Sequence, residues 1–408
     1  MEDNIEKLQR LLLKYNIKMW FIVNKDNNDP IFYKYISKHL YTQSFLLLLP
    51  NRAYLIISEE DKNNIGTIEI KKSIVNVYTY KTEEEMKDIL EGIICSLEYI
   101  DKIAMSYSTL GDKDTDIILN SDYRKYTGLL RSIYRKYHKT VRFCSSEKVV
   151  YSLISENSEK KLERIKLACK ITDEILDMTF KDMYVNMTEI EIANKVLAKM
   201  SEVEKKYIGK YDITSISTAW DNCPFVLTGS NLALNGHTPP SNKLLKKGDT
   251  INIDFGIKLI FSDGKKIFSD MQRMGYALKS GEQTAPEKVV AMFNTLVSAI
   301  DEALDYMKPD VKGYIVDEKI RSYISKAGYP GYMHASGHPV GSRVHASGTI
   351  ISTRLEPRSK IALVETGVYT LEPKVPVENG ASIEEMIVVT KFGGFPAYKF
   401  QKELYIIK

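Results

Sequence analysis

Residues 249–276 place two aspartates inside sequence that otherwise has the composition of β-strands. In the first half, isoleucines and a phenylalanine alternate with polar residues, which is the period of a strand with one apolar face. Asp254 lies on the polar phase of this run, and Asp270 lies in a second alternating run. Turn-forming residues at 262–264 separate the two runs. The stretch is therefore predicted to be a β-hairpin that carries two carboxylates.

The length of the turn decides whether the two aspartates share a face. A two-residue turn at Asp263 and Gly264 would put Asp254 and Asp270 on opposite faces. A three-residue turn with a left-handed Gly264 places Asp270 opposite Gly256 and diagonal to Asp254, and we predict this arrangement. Two carboxylates so close repel unless a proton or a cation lies between them, which favours a metal ion. The alternative is a pair of solvated aspartates on an exposed hairpin.

The chain of 408 residues is long enough for two domains, since single cores stop growing beyond about 250–300 residues. With 44% hydrophobic and 27% charged residues, the composition is that of a soluble globular protein. The net charge of +4 is small and no dense basic cluster occurs, so we expect neither nucleic acid nor a membrane as partner. The sequence shows no export signal, and its four cysteines lack disulfide-like spacing, which together predict a cytoplasmic protein.

The two parts of the chain differ in organisation. Residues 1–150 alternate helical and strand patterns and hold no cluster of His, Cys, Asp or Glu at ligand spacing. A polar, serine-rich stretch over residues 144–158 marks the boundary. Residues 151–408 contain long amphipathic helices, strand patterns and all of the candidate site residues. We therefore predict two domains, over residues 1–150 and 151–408.

A second group of candidate residues lies downstream of the hairpin. Three of the six histidines fall within one glycine-containing stretch of twelve residues. They are His334, His338 and His345. A lone histidine is more often structural, whereas clustering with glycine favours a functional loop. Glu372 follows a strand-like run, and Glu384 and Glu385 precede another, although each alone is typical of a solvated acid at a strand end.

The order of these motifs resembles the pita-bread metallopeptidases, which include Xaa-Pro aminopeptidases, Xaa-Pro dipeptidases and methionine aminopeptidases. The matching motifs are IDFG, SDMQR, HASGHPVG, TLEP and SIEE, and the resemblance covers about residues 155–400. Residues 1–150 resemble the creatinase-type N-terminal domain of the Xaa-Pro branch, which methionine aminopeptidases lack. The resemblance implies an α/β N-terminal domain, an α+β pita-bread (creatinase/aminopeptidase) C-terminal domain, and a homodimer.

The resemblance also implies two divalent metal ions and their ligands. Asp254 matches a ligand of one ion, and Asp270 and Glu384 match carboxylates that bridge both ions. His338 and Glu372 match ligands of the second ion. Four carboxylates and one imidazole, without a thiolate, suit Mn²⁺, Co²⁺, Fe²⁺ or Zn²⁺ in a two-metal arrangement. Of these, we expect Mn²⁺ or Co²⁺.

The implied activity is hydrolysis of an N-terminal peptide bond in a small peptide, at an Xaa-Pro sequence. Glu372 matches the general base of the family, and His345 matches a histidine that contacts the substrate carbonyl. His237 matches a histidine that supports the tetrahedral intermediate, and His334 matches one on the substrate side. Two alternatives are a creatinase-like hydrolase of a non-peptide C–N bond and a non-catalytic binding protein on the same fold.

Several positions depart from the family pattern. Gln272 replaces a threonine, Arg343 stands where Xaa-Pro enzymes commonly have an acid, and Ser382 stands where they commonly have an arginine. Ala346 follows His345, where an acid is usual. The hairpin tip between the two aspartates is also longer than usual. Because Arg343 and Ser382 are expected on the substrate side, these changes bear on proline specificity more than on metal-dependent hydrolysis.

Overall fold

The chain folds into two units, which the computed structural model divides between Leu153 and Ile154. The structure describes residues 4–67, 75–234, 236 and 238–408. In this described part, no helix has both the length and the apolar character needed to cross a membrane. All four cysteines are free thiols.

A six-stranded mixed sheet forms the centre of the first unit, with strand order β4-β3-β2-β1-β5-β6. Its strands are β1 (Trp20–Asn24), β2 (Ser44–Leu48), β3 (Ala53–Ser58), β4 (Val75–Tyr80), β5 (Lys102–Met105) and β6 (Arg142–Ser145). Its helices are α1 (Asn4–Lys14), α2 (Pro30–Tyr35), α3 (Glu83–Ser96), α4 (Asn120–Lys136) and α5 (Glu147–Ser155), with a 3₁₀ helix at Glu59–Thr67. The central strand β1 is buried on both faces, as its continuous apolar run predicts. The predicted α/β architecture is confirmed.

The second unit contains two helix pairs, each followed by strands. The first set is α6 (Glu159–Lys181), α7 (Glu189–Tyr207), β7 (Ile213–Thr218), β8 (Phe225–Thr228), α8 (Ser230–Leu234), β9 (Thr250–Phe255), β10 (Ile257–Phe261), β11 (Lys266–Phe268) and β12 (Met271–Ala277). The second set is α9 (Glu287–Leu304), α10 (Gly313–Lys326), a 3₁₀ helix (Pro357–Lys360), β13 (Val368–Leu371), β14 (Lys374–Val375), β15 (Ala381–Ser382), β16 (Glu385–Thr390), β17 (Gly393–Pro396) and β18 (Tyr405–Ile407).

The strands of the second unit form four small sheets between these helices. Their orders are β11-β10-β7, β18-β12-β9-β8, β13-β16-β17 and β14-β15. Helices α6 and α7 share one apolar core with β9 and β10, and α9 and α10 share another with β13 and β16. Helix α7 begins at a capping box in which Thr188 and Glu191 each accept the other's backbone N–H. The sheets therefore hold the segments that carry the candidate site between two apolar layers.

The hairpin over residues 249–276 has the predicted register. Residue 261 faces residue 265 across a three-residue turn, and Gly264 has a positive φ of 75°. Leu259 pairs with Ile267 near the tip, and Gln272 pairs with Asp254 near the base. The same register places Asp270 opposite Gly256, so the three-residue turn is confirmed.

Two features of the hairpin differ from a simple two-stranded ribbon. The ladder breaks near Gly256, so that the tip strands β10 and β11 join one sheet and the base strands β9 and β12 join another. Every residue of β9 and β12 is buried. The polar phase that carries Asp254 thus faces an enclosed site, whereas alternation alone would predict a solvated face.

Candidate metal centre

Main-chain pairing brings the histidine segment onto strand β13. The backbone N–H of His338 donates to Thr370 Oγ1 at 3.1 Å, and the Thr370 N–H donates to the His338 carbonyl at 2.9 Å. The backbone N–H of Glu372 donates to the Ser336 carbonyl at 2.9 Å. A Cβ on Gly337 would overlap the Thr370 carbonyl, so glycine is required for this approach. The pairing sets His338 and Glu372 side by side.

The two adjacent glutamates, Glu384 and Glu385, point into different environments. The backbone of Glu384 forms a bridge with Gln272, through N–H to carbonyl bonds of 3.1 and 3.3 Å. Glu385 instead accepts the Arg273 Nη1–H at 3.1 Å and the Gln401 backbone N–H at 2.8 Å. Glu384 therefore lies with the aspartates of the hairpin, and Glu385 lies outside that group.

Five side chains from separate parts of the chain form one cluster. His338 Nε2 lies 3.4 Å from Asp270 Oδ2 and 3.7 Å from Glu384 Oε1. It also lies 3.8 Å from Glu372 Oε1. Carboxylate oxygens of Asp254, Asp270 and Glu384 lie within 4.8 Å of one another. All five side chains are buried.

The chemistry of this cluster fits divalent cations. Burial and the carboxylates of Glu384, Asp270 and Asp254 raise the pKa of Glu372 well above its usual value. Four buried carboxylates in one place repel each other, and divalent cations would remove that repulsion. Oxygen donors with one imidazole are also the donor set that suits the ions named above. Asp254, Asp270, His338, Glu372 and Glu384 could therefore hold such ions.

The other predicted histidines have different surroundings. The ring of His345 lies 4.4 Å from the ring of His338, measured between centroids, and its side chain is exposed. Ring and carboxylate atoms of His345, His338 and Asp270 lie within 4.8 Å of one another. His334 lines a cavity beside the cluster, and its carbonyl accepts the Arg321 Nη2–H at 2.7 Å. His237 lies outside the described residues.

A buried network of charged residues around Arg273 lies next to the cluster. Arg273 is 1% exposed, and it donates to Asp173 Oδ1 at 3.2 Å and to Glu385 Oε1 at 3.1 Å. It also donates to the carbonyl of Glu384 at 3.3 Å. Burial raises the pKa of Glu385 to about 7, although Arg273 opposes this change. Arg273 thus fixes the main chain at Glu384 from the side opposite the cluster.

The cavity beside the cluster contains residues that the sequence reasoning did not select. Asn252 and Lys374, which the sequence analysis did not name, line it together with Asp254, Glu372 and Ser382, which it did. Lys374 is 7% exposed, and burial lowers the pKa of its ammonium group. Its position two residues after Glu372 was the available signal, since alternate residues of an extended segment share a face. Apart from this spacing from Glu372, nothing in the sequence distinguishes Lys374 from the many other lysines as a candidate site residue.

The comparison with known proteins identifies the family. Residues 163–391 match the model of metallopeptidase family M24. The chain belongs to metallopeptidase family M24. This M24 protein contains every motif named above within or beside that match, and the predicted pita-bread family and fold are confirmed.

Individual relatives of the M24 protein are distant. It is 30% identical over 272 residues to the putative dipeptidase YkvY of Bacillus subtilis, an alignment that covers 65% of this chain and 66% of that protein. It is 28% identical over 252 residues to the Xaa-Pro dipeptidase of Pyrococcus horikoshii, covering 60% of this chain and 63% of that protein. The chain thus spans about two thirds of the length of these relatives.

A solved structure resembles the whole chain. The X-Pro aminopeptidase from Thermotoga maritima is 23% identical and covers 99% of both chains, with a TM-score of 0.57. At this identity the likeness shows the fold. The prediction of a metallopeptidase is therefore confirmed at the level of family and fold.

Proposed function

We propose that this M24 protein is a two-metal peptidase that hydrolyses the N-terminal peptide bond of a small peptide, of the Xaa-Pro dipeptidase or aminopeptidase type. The observation that carries the proposal is the convergence of Asp254, Asp270, His338, Glu372 and Glu384 on one buried cluster. These five side chains are the proposed ligands, and Mn²⁺ or Co²⁺ are the proposed ions.

When bound, the ions would act as Lewis acids: they would lower the pKa of a bound water molecule and polarise the scissile carbonyl. Glu372 stands next to the open cavity, where its carboxylate can take a proton from the attacking water and pass it to the leaving nitrogen. His345 and His334 flank the cluster and the cavity, where they can donate hydrogen bonds to substrate oxygens. The proposal gives His237 the same kind of role, on the resemblance alone.

The direct test combines a metal count with a peptide assay. Asp270→Asn removes an anionic ligand and His338→Ala removes the imidazole, so we expect fewer than two bound Mn²⁺ ions per chain and loss of metal-dependent cleavage. Exposed residues of the same types, Asp301 and His39, supply the controls Asp301→Asn and His39→Ala. Xaa-Pro dipeptides, Xaa-Pro-Xaa tripeptides and proline-free peptides should be assayed with each metal ion in turn. Turnover that persists in both ligand variants contradicts the proposal.

A creatinase-like hydrolase of a non-peptide C–N bond is the second candidate. It is favoured by Arg343 and Ser382, the two departures from the Xaa-Pro pattern on the substrate side. Two bound ions together with peptide cleavage would exclude it. A protein that binds metal but cleaves nothing in the peptide panel would support the third reading, a non-catalytic binding role.

We further propose that the first unit is a creatinase-like domain, that the protein is a homodimer and that it is cytoplasmic. The likeness of the whole chain to the aminopeptidase structure supports the first point. The free thiols of all four cysteines suit a reducing compartment. Light scattering of the intact protein should give about twice the chain mass of 46.6 kDa, and a monomeric mass would contradict the dimer.

A further inference from the structure

Lys374 contributes a basic residue to the wall of a cavity that Asp254 and Glu372 also line. It lies two residues after Glu372, and both residues line the same cavity. Among the described residues of the cavity wall, Lys374 is the only lysine or arginine. Two residues of extended chain span about 7 Å, so the Cα of Lys374 lies about that far from the Cα of Glu372 in the cluster.

In the strand pair β14–β15, the residue opposite Lys374 is uncharged. Lys374 faces Ser382 directly across this pair, and Ser382 lies two residues before Glu384. The pair therefore continues the same two chain segments that bring Glu372 and Glu384 into the cluster.

Hydrogen bonds fix the neutral part of this wall. Asn252 Nδ2 donates to the Ser382 carbonyl at 2.8 Å, and Ser382 Oγ donates to Gln272 Oε1 at 2.7 Å. Gln272 Nε2 in turn donates to Glu384 Oε2 at 3.2 Å. Because these groups are engaged with one another, the wall keeps its shape around the lysine.

The count of charges points to an anionic ligand. If two divalent ions balance the four carboxylates of the cluster, as the proposed function requires, Lys374 adds one positive charge to the described wall. A carboxylate brought into this buried region would be attracted more strongly than in water, because the surroundings screen charge poorly. A second ammonium group there would be repelled.

We propose that Lys374 forms a subsite for a substrate carboxylate close to the scissile bond, and that Ser382 supports the wall beside it through its bond to Gln272. The inference rests on the proposed function and adds the substrate class to it. The carboxylate has two possible sources in a small peptide: the C-terminus of a dipeptide, or an acidic side chain on the first residue. Both sources place an anion within the short distance that separates Lys374 from the cluster.

Matched peptides separate the two sources. Ala-Pro against Ala-Pro amide tests the terminal carboxylate, and Glu-Pro amide against Gln-Pro amide tests the side chain. Each pair should also be made with alanine in place of proline, so that a proline requirement does not hide the effect. For the wild-type protein with Mn²⁺, we expect at least one pair to favour the carboxylate about 10- to 100-fold in kcat/KM.

Substitutions of Lys374 test whether this residue causes the preference for a carboxylate. Lys374→Met and Lys374→Gln should reduce the carboxylate-to-neutral ratio toward one, mainly through KM, whereas Lys374→Arg should retain most of it. Bound Mn²⁺ and the unfolding midpoint are measured for each variant, so that a folding defect is recognised. The wild-type ratio tests the subsite even if one variant fails to fold.

The outcomes distinguish the two proposals. If the wild-type protein cleaves no peptide, the proposed function fails and the subsite fails with it. If it cleaves both members of every pair equally well, the subsite alone is overturned. A strong preference that survives in Lys374→Met also overturns it, because another group must then bind the carboxylate.

Discussion

Gln272 Nε2 donates a hydrogen bond of 3.2 Å to Glu384 Oε2, although 111 residues separate them in the sequence. The two residues also exchange backbone hydrogen bonds. Gln272 also pairs across the hairpin with Asp254. One residue thus connects two distant segments, with its side chain and main chain bonded to Glu384 and its main chain paired with Asp254.

Removal of this connection should weaken metal binding. In Gln272→Ala, Glu384 loses a donor that orients its carboxylate, and such losses typically reduce metal affinity 10- to 100-fold. Titration calorimetry with Mn²⁺ would measure the change. Gln283→Ala, at an exposed position, is the matched control and should bind as the wild type does. Equal affinity in Gln272→Ala would show that Glu384 needs no support from this side chain.

Gly256 should be essential to the bend of the hairpin. A Cβ at this position would overlap the Ser269 carbonyl and lie 2.9 Å from the Trp220 ring. Gly256→Ala must therefore displace backbone, and we expect a loss of about 3 kcal/mol or more in unfolding free energy. Gly264→Asn, at the open tip, should lose less than about 1 kcal/mol, because asparagine tolerates positive φ. Urea unfolding would compare the two, and equal effects would contradict the clash.

Glu189 should hold the segment between β8 and β9 in place. Its buried carboxylate accepts bonds from the backbone N–H and hydroxyl groups of Thr228 and Ser241, and from the Asn231 amide. Leu232 and Gly236, within this segment, line the cavity. Glu189→Gln would place an NH₂ group among donors, so we expect a loss of about 2–3 kcal/mol in stability.

The same substitution should lower kcat/KM for peptides, because this segment lines the cavity and moves while the proposed ligands remain. Glu191→Gln supplies the control. Glu191 lies two residues further along α7, is exposed and can keep its capping bond as glutamine. Steady-state kinetics alongside urea unfolding would test both expectations. A Glu189→Gln protein with normal stability and normal kcat/KM would assign no positioning role to Glu189.

Asp29 should make the first unit less stable as pH rises. Burial raises the pKa of this carboxyl from 3.8 to about 6, although it accepts the N–H groups of Ile31 and Phe32 at the start of α2. The folded state therefore holds a proton that the unfolded state releases between about pH 4 and 6, and stability falls across that window as pH rises. Two pKa units correspond to about 3 kcal/mol.

Asp29→Asn isolates this effect, because asparagine can still cap the helix but carries no charge. The variant should gain stability relative to the wild type as pH rises from about 4 to 7, and the two proteins should be closest at the acidic end. Urea unfolding at several pH values would measure the difference. A difference that stays constant over this range would mean that Asp29 titrates normally in the folded protein.

The sequence by itself determined the local geometry of this protein. Strand alternation and the turn at residues 262–264 gave the register that puts Asp270 opposite Gly256, since cross-strand pairing near a short turn depends only on nearby residues. The capping box of α7 was readable for the same reason. The order of the acidic and histidine motifs indicated the family, and with it the set of proposed ligands.

Tertiary structure decided which distant groups meet. The break of the hairpin between two sheets, the burial of both faces of β9, and the opposite directions of Glu384 and Glu385 all depend on packing against other segments. Lys374 and Glu189 gained their importance the same way: Lys374 faces Ser382 across β14–β15, and Glu189 binds residues up to 52 positions away. Such contacts are set by the folded chain as a whole, and the position of Lys374 two residues after Glu372 is the one local pattern that indicated any of them.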